Sequence, residues 1–126
     1  MIVDKKTAII ICTNYANGKK HDFRLFKDSK IRIHHNIQAL TDTGYIGLQK
    51  IHQNTEMPKK KSKKHPLTKQ DKIKNKEISK NRVLNENVIG MIKRFKIVAD
   101  RYRNRRKRFS LRFNLISGIY NFELKI

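Results

Sequence analysis

Apolar positions change period several times along the chain, and each change marks an element. Ile2-Val3-Asp4 and the stretch Thr7 to Thr13 are separated by Lys5-Lys6 and predict two strands joined by a short turn. The unbroken run Ala8-Ile9-Ile10-Ile11-Cys12 predicts a strand covered on both faces. Asn14 to Lys20, with Gly18, is a turn. His21 to Lys27 then predicts a short helix with Phe23 and Phe26 on one side. A further strand is expected over Ile37 to Leu40, running straight into Thr41-Asp42-Thr43-Gly44-Tyr45. A carboxylate just past a strand end, followed by Gly44 and Gly47, suggests a ligand site. Open α/β sheets bind there, and glycines admit close approach.

The second half reads differently. Met57 to His65 has no apolar period and predicts a mobile basic loop over 57–66. Thr68 is a good helix N-cap, with Asp71 three residues on, and opens a helix expected to run with interruptions to about Lys96. Within it, Leu84, Val88, Met91, Ile92 and Phe95 fall on one face, and Arg82, Glu86, Gly90 and Lys93 on the opposite one. A second basic cluster occupies 101–108. Phe109 to Phe122 predicts a last amphipathic helix with Phe113, Ile116 and Tyr120 at helical spacing.

Charge narrows the partner. The 126 residues suit one domain at most, and 37% hydrophobic residues can supply a lean core. A formal charge of +21 exceeds what solubility needs and points to an anionic partner, nucleic acid first. Of the 31 basic residues, 21 lie between Lys59 and Arg112, against four acids, Asp71, Glu77, Glu86 and Asp100, which leaves that segment at +17. The single Cys12 lies in an apolar run and reads as a small buried residue of a reducing compartment. Met1 to Cys12 is interrupted by charge and does not read as a signal peptide, and no stretch approaches a membrane span. The partner expected from charge is therefore nucleic acid, with a membrane surface the weaker alternative.

Two meanings are open for Glu86, a lone acid between Arg82 and Lys93. It is either a metal ligand beside a phosphate chain or part of a solvated, salt-bridged face. His34-His35 does not read as a metal pair, because adjacent side chains on a strand point to opposite faces. His21, His52 and His65 lack ligand spacing and read as exposed or locally hydrogen-bonded. Lys59, Lys60 and Lys61 are expected to contact a nucleic-acid backbone, and Arg103, Arg105 and Arg106 either backbone or bases.

The order HDFRLFKDSK, DTGYIGLQKIH, PLTKQDK, NRVLNENVIGMIKRFKI and RYRNRRKRFSLRFNLISGIYN resembles the DDE transposases of short bacterial insertion sequences, from about Met1 to Tyr120. That resemblance implies an α/β, ribonuclease-H-like mixed sheet with flanking helices, here truncated at its N-terminus. It implies three acids holding two Mg²⁺ or Mn²⁺ ions for cleavage and strand transfer at the element's ends. The second acid matches Asp42 and the third Glu86, the pair expected to lie within a metal's reach of one another. Arg82 and Lys93 match the basic positions spaced around the third acid, as DNA contacts, while Ser79 stands where the family has a tyrosine. The first Asp has no match, since Asp4 lies past its position and Asp22 belongs to a different word. The resemblance thus implies a partial catalytic domain over 1–126, inactive alone and completed by a separate N-terminal half or by a homo-oligomer partner, in the bacterial cytoplasm at the nucleoid. The alternative is a non-catalytic basic nucleic-acid-binding protein, which the charge supports equally.

Overall fold

The computed structural model describes residues 1–16, 18–99 and 106–126, with side chains of the last stretch from Arg108 onward. The chain divides into two compact units, one built from Met1–Asn17 together with Val83–Ile126, the other from Gly18–Arg82.

The first unit pairs the two ends of the chain. Strands β1 (Ile2–Val3) and β2 (Ile10–Cys12) are antiparallel, with Ile2 opposite Cys12 and Val3 opposite Ile10. Their turn is closed by backbone bonds from Asp4 N–H to Ile9 C=O and from Ala8 N–H to Asp4 C=O, both 2.9 Å. The Asp4 carboxylate accepts from the Thr7 hydroxyl at 2.5 Å and from the Lys6 N–H at 3.2 Å, which holds its pKa below the ordinary carboxylate value. The hairpin lies on α5 (Arg106–Glu123), where Asn121 accepts from the Ile10 N–H and donates to the Ile10 C=O, each at 2.8 Å. Ile10, Val88, Ile92, Ile116 and Tyr120 form the buried core, with Val3, Phe95 and Phe113 packed around it. The expected spacing of Ile116 and Tyr120 is therefore the packing face of α5.

Two expectations change here. Ile11 is 65% exposed, so β2 is covered on one face only, because its side chains alternate and just one face meets α5. Met91 is 45% exposed, while Val88 and Ile92 are buried. The apolar stripe is therefore narrower than the sequence implies.

In the second unit, α1 (Asp22–Asp28) opens where the His21 ring nitrogen Nδ1 accepts from the Phe23 N–H at 3.3 Å. Phe23 and Phe26 turn toward Tyr45, with ring centres 5.7 and 6.4 Å away. Strand β3 (Ala39–Leu40) pairs in parallel with β4 (Thr55–Glu56). A 3₁₀ turn (Thr43–Tyr45) and the one-turn helix α2 (Leu48–Ile51) connect them. Leu48, His52 and Thr55 are buried beside this pair. The four strands form two separate two-stranded sheets rather than one mixed sheet among the described residues. The α/β character stands.

Helix α3 (Lys69–Lys93) runs 25 residues without the expected interruptions and belongs in part to each unit, followed by the short α4 (Lys96–Ala99). Gly90 does not break it, since one glycine inside a helix costs only about 1 kcal/mol relative to alanine. Its start is the capping box read from the sequence. The Thr68 hydroxyl accepts from the Asp71 N–H and the Asp71 carboxylate accepts from the Thr68 N–H, both at 3.1 Å.

Candidate functional site

Asp42 sits where the sequence puts it, immediately after β3. Its backbone is extended and its side chain caps the 3₁₀ turn, with Oδ1 accepting from the Gly44 N–H at 2.8 Å. A side chain at position 44 would crowd the carboxylate, because a Cβ there, 3.5 Å from the His21 ring, would stand 3.0 Å from Asp42 Oδ1, which would have to give way by a few tenths of an ångström. Gly44 thus lets the carboxylate, its capped amide and His21 crowd together. The other oxygen, Oδ2, faces Arg82 Nη2 at 3.7 Å. Tyr45, next along the turn, has its phenol pushed above its ordinary value by burial first, then by the charges of Asp22 and Asp42. A carboxylate oriented by an amide on one side and faced by a guanidinium on the other is held in one direction before any ligand arrives.

Arg82 reaches Asp42 through the spacing of α3. Asp71, Asn75, Ile78 and Arg82 are three or four residues apart and so share one stripe of the helix. Each is engaged within the second unit. Asp71 and Asn75 bind Lys59, Ile78 is buried, and Arg82 pairs with Asp42. Arg82, expected beside Glu86 on one helix face, has its guanidinium turned to Asp42. Glu86, one turn on, is exposed and makes no ion pair among the described residues. Lys93 is exposed at the end of the same helix, about 10 Å further along its axis. Asp42 and Arg82 belong to one unit, Glu86 and Lys93 to the other.

Of the expected DNA contacts, Lys60 and Lys61 are exposed on irregular backbone. Lys59 differs, since its ammonium meets the Asp71 carboxylate at 3.0 Å. Arg103 and Arg105 lie outside the described residues, as does the side chain of Arg106, whose backbone begins α5. One set was missed. Lys69, Lys72, Lys76 and Lys80 are all exposed and recur at helical spacing on α3, a row of cations about 16 Å long. The signal was present in the sequence as an i, i+3, i+4 pattern of lysines rather than of apolar residues.

Carboxylate oxygens are suitable donors for Mg²⁺ or Mn²⁺. Among the described residues, however, no three His, Cys, Asp or Glu side chains converge. Asp42 also has one oxygen committed to Gly44 and the other turned to Arg82. Asp42 and Glu86 alone do not amount to a two-metal site, which would need a further ligand. The histidines need two corrections. His34 and His35 occupy a turn and not a strand, and their rings stack with centres 4.3 Å apart. His52 is neither exposed nor locally bonded, for it is buried with Nε2 2.7 Å from the Ile37 C=O, fifteen residues away.

No helix among the described residues is long and apolar enough to cross a membrane. No solved structure matches the chain. Residues 1–121 match the DDE superfamily endonuclease family. The chain is also similar, at 43% identity over all 126 residues, to the probable transposase for insertion sequence element IS702 of Microchaete diplosiphon, of which it spans 46% of the length. A match over nearly every residue carries the conclusion that the chain belongs to the DDE superfamily endonucleases, the family of the insertion-sequence transposases that its sequence resembles.

Proposed function

We propose that residues 1–126 form part of a ribonuclease-H-like catalytic domain acting in DNA transposition, in which Asp42 and Glu86 are two of the three acids that hold Mg²⁺ or Mn²⁺. The observation that carries this reading is the Asp42 turn. A carboxylate past a strand end, fixed by the Gly44 amide and faced by Arg82, is built to present an oxygen in one direction. Bound divalent ions would supply the activated nucleophile and neutralise charge at the phosphorus. This chain's residues do the rest. Gly44 and Arg82 orient Asp42, Lys93 lies along the same helix as Glu86 to grip a phosphate, and the exposed lysines beyond Lys59 in 57–66 and those of α3 hold the DNA backbone. The first acid comes from outside these 126 residues, from a preceding segment or a second subunit.

The test is to join the chain to its upstream coding sequence, read in all three frames, and to assay strand transfer of the element's ends with Mg²⁺ and Mn²⁺. Asp42→Ala and Glu86→Ala are each expected to abolish transfer while leaving DNA binding intact. Transfer surviving either substitution would overturn the assignment of that acid.

A further inference from the structure

The lysine segment after β4 is anchored at its first residue by more than charge. Asn75 on α3 binds both backbone groups of Lys59, accepting from its N–H at 2.8 Å and donating to its C=O at 2.9 Å. One turn earlier on the same stripe, Asp71 accepts from the Lys59 ammonium at 3.0 Å while it also caps the helix. Glu56, where the segment leaves β4, faces Lys74 at 3.9 Å. Further on, a small turn closes through Ser62 and His65, with the His65 N–H donating to the Ser62 hydroxyl at 3.0 Å. A side-chain amide that satisfies the N–H and C=O of one residue does the work of a neighbouring strand, and fixes that residue's dihedrals.

The charges divide accordingly. Lys59 is directed to Asp71, and that contact, with the Thr68 bonds, holds the Asp71 carboxyl below its ordinary pKa. Lys60, Lys61, Lys63 and Lys64 are exposed, and no side-chain bond to them is present among the described residues.

We propose that Asn75, assisted by Asp71, is a positioning residue for nucleic-acid binding. It presets the path of the lysine segment, so that Lys60, Lys61, Lys63 and Lys64 meet DNA phosphates without first having to be ordered. Lys59 then serves as the anchor of the segment and not as a phosphate ligand. The inference rests on the DNA-binding reading above. It differs from a mere basic patch in assigning unequal roles to adjacent lysines and a role to a neutral residue that touches no DNA.

Binding of the 126-residue chain to a random-sequence duplex, measured across a salt series, tests it. Lys60→Met should lower the slope of log affinity against log salt by about 0.9, the value for one lost phosphate contact on duplex DNA. Lys59→Met should leave the slope unchanged. Asn75→Ala should weaken binding by about tenfold at every salt concentration with the slope unchanged, because it adds an ordering cost and removes no cation. Equal slope losses for Lys59→Met and Lys60→Met, or an Asn75→Ala chain that binds like the original, would overturn the inference. Salt-independent binding by the unsubstituted chain would instead defeat the DNA reading, and cleavage by a lysine-specific protease then judges the clamp alone. Cutting after Lys59 to Lys61 should be slow in the original chain, fast in Asn75→Ala and intermediate in Asn75→Asp, which keeps the acceptor for the Lys59 N–H. Equal rates would overturn the clamp, and Asn75→Asp serves in place of Asn75→Ala if circular dichroism shows the latter unfolded.

Discussion

At the scale of single residues, the Asp42 turn concentrates unlike demands in a few positions. Gly44 supplies the amide and the space, and Tyr45 supplies a ring that packs on Phe23 while its phenol faces acid charge. Burial and the carboxylates of Asp22 and Asp42 raise the Tyr45 pKa above its ordinary 10.0. The folded chain therefore keeps a proton that the unfolded chain loses, and stability must fall as pH rises above about 10. In a spectroscopic titration, one of the four tyrosines should ionise above the range of an exposed phenol, and Asp42→Asn should lower it only in part, because burial is the larger cause. Four tyrosines ionising together would count against this arrangement. Asp42, its turn and its two glycines were legible in the sequence, since a strand end, an acid and a glycine are local features. The Arg82 partner was not, because forty residues separate it from Asp42 and only the fold of the second unit joins them.

At the scale of elements, α3 shows which local signals are strong enough to survive. The Thr68–Asp71 capping box was read correctly because its two hydrogen bonds span only three residues. Thr68→Ala should cost about 1 kcal/mol, a typical loss for an N-cap hydroxyl. A chemical denaturation curve with an unchanged midpoint would show that the helix start is held by other contacts. The continuity of α3 was underestimated, because the run of lysines and asparagines before Arg82 has weak apolar periodicity, and beside the buried Ile78 its packing comes from polar grips on Lys59 and Asp42. The mixed sheet implied by the resemblance is represented, among the described residues, by two separate strand pairs. The strands are two or three residues long, and each finds one partner. A hydrophobic run states that a strand is wanted, but pairing is a non-local choice that the pattern of one strand does not encode. His52 makes the same point in small, as its partner at Ile37 lies across the β3–β4 connection.

At the scale of the whole molecule, the charge of +21 sets the salt dependence of the DNA binding proposed above. If about six cations meet phosphates, affinity should fall on the order of 10³-fold between 50 and 200 mM salt, as a filter-binding or anisotropy series would show. Salt-insensitive binding would contradict a phosphate-tracking surface. The first unit carries a further consequence, for the order of folding. Its hairpin is completed by Asn121, 111 residues after Ile10, with the whole of Gly18–Arg82 inserted between them. Contacts that distant are bought late, since the loop must close before they reward the chain, whereas the inserted unit closes on shorter separations. Synthesis makes the hairpin well before its partner helix, with the whole of Gly18–Arg82 in between. The Ile10–Cys12 strand therefore waits with an unpaired edge while its neighbours fold, and it is the stretch of a nascent chain most in need of protection from strand-to-strand aggregation.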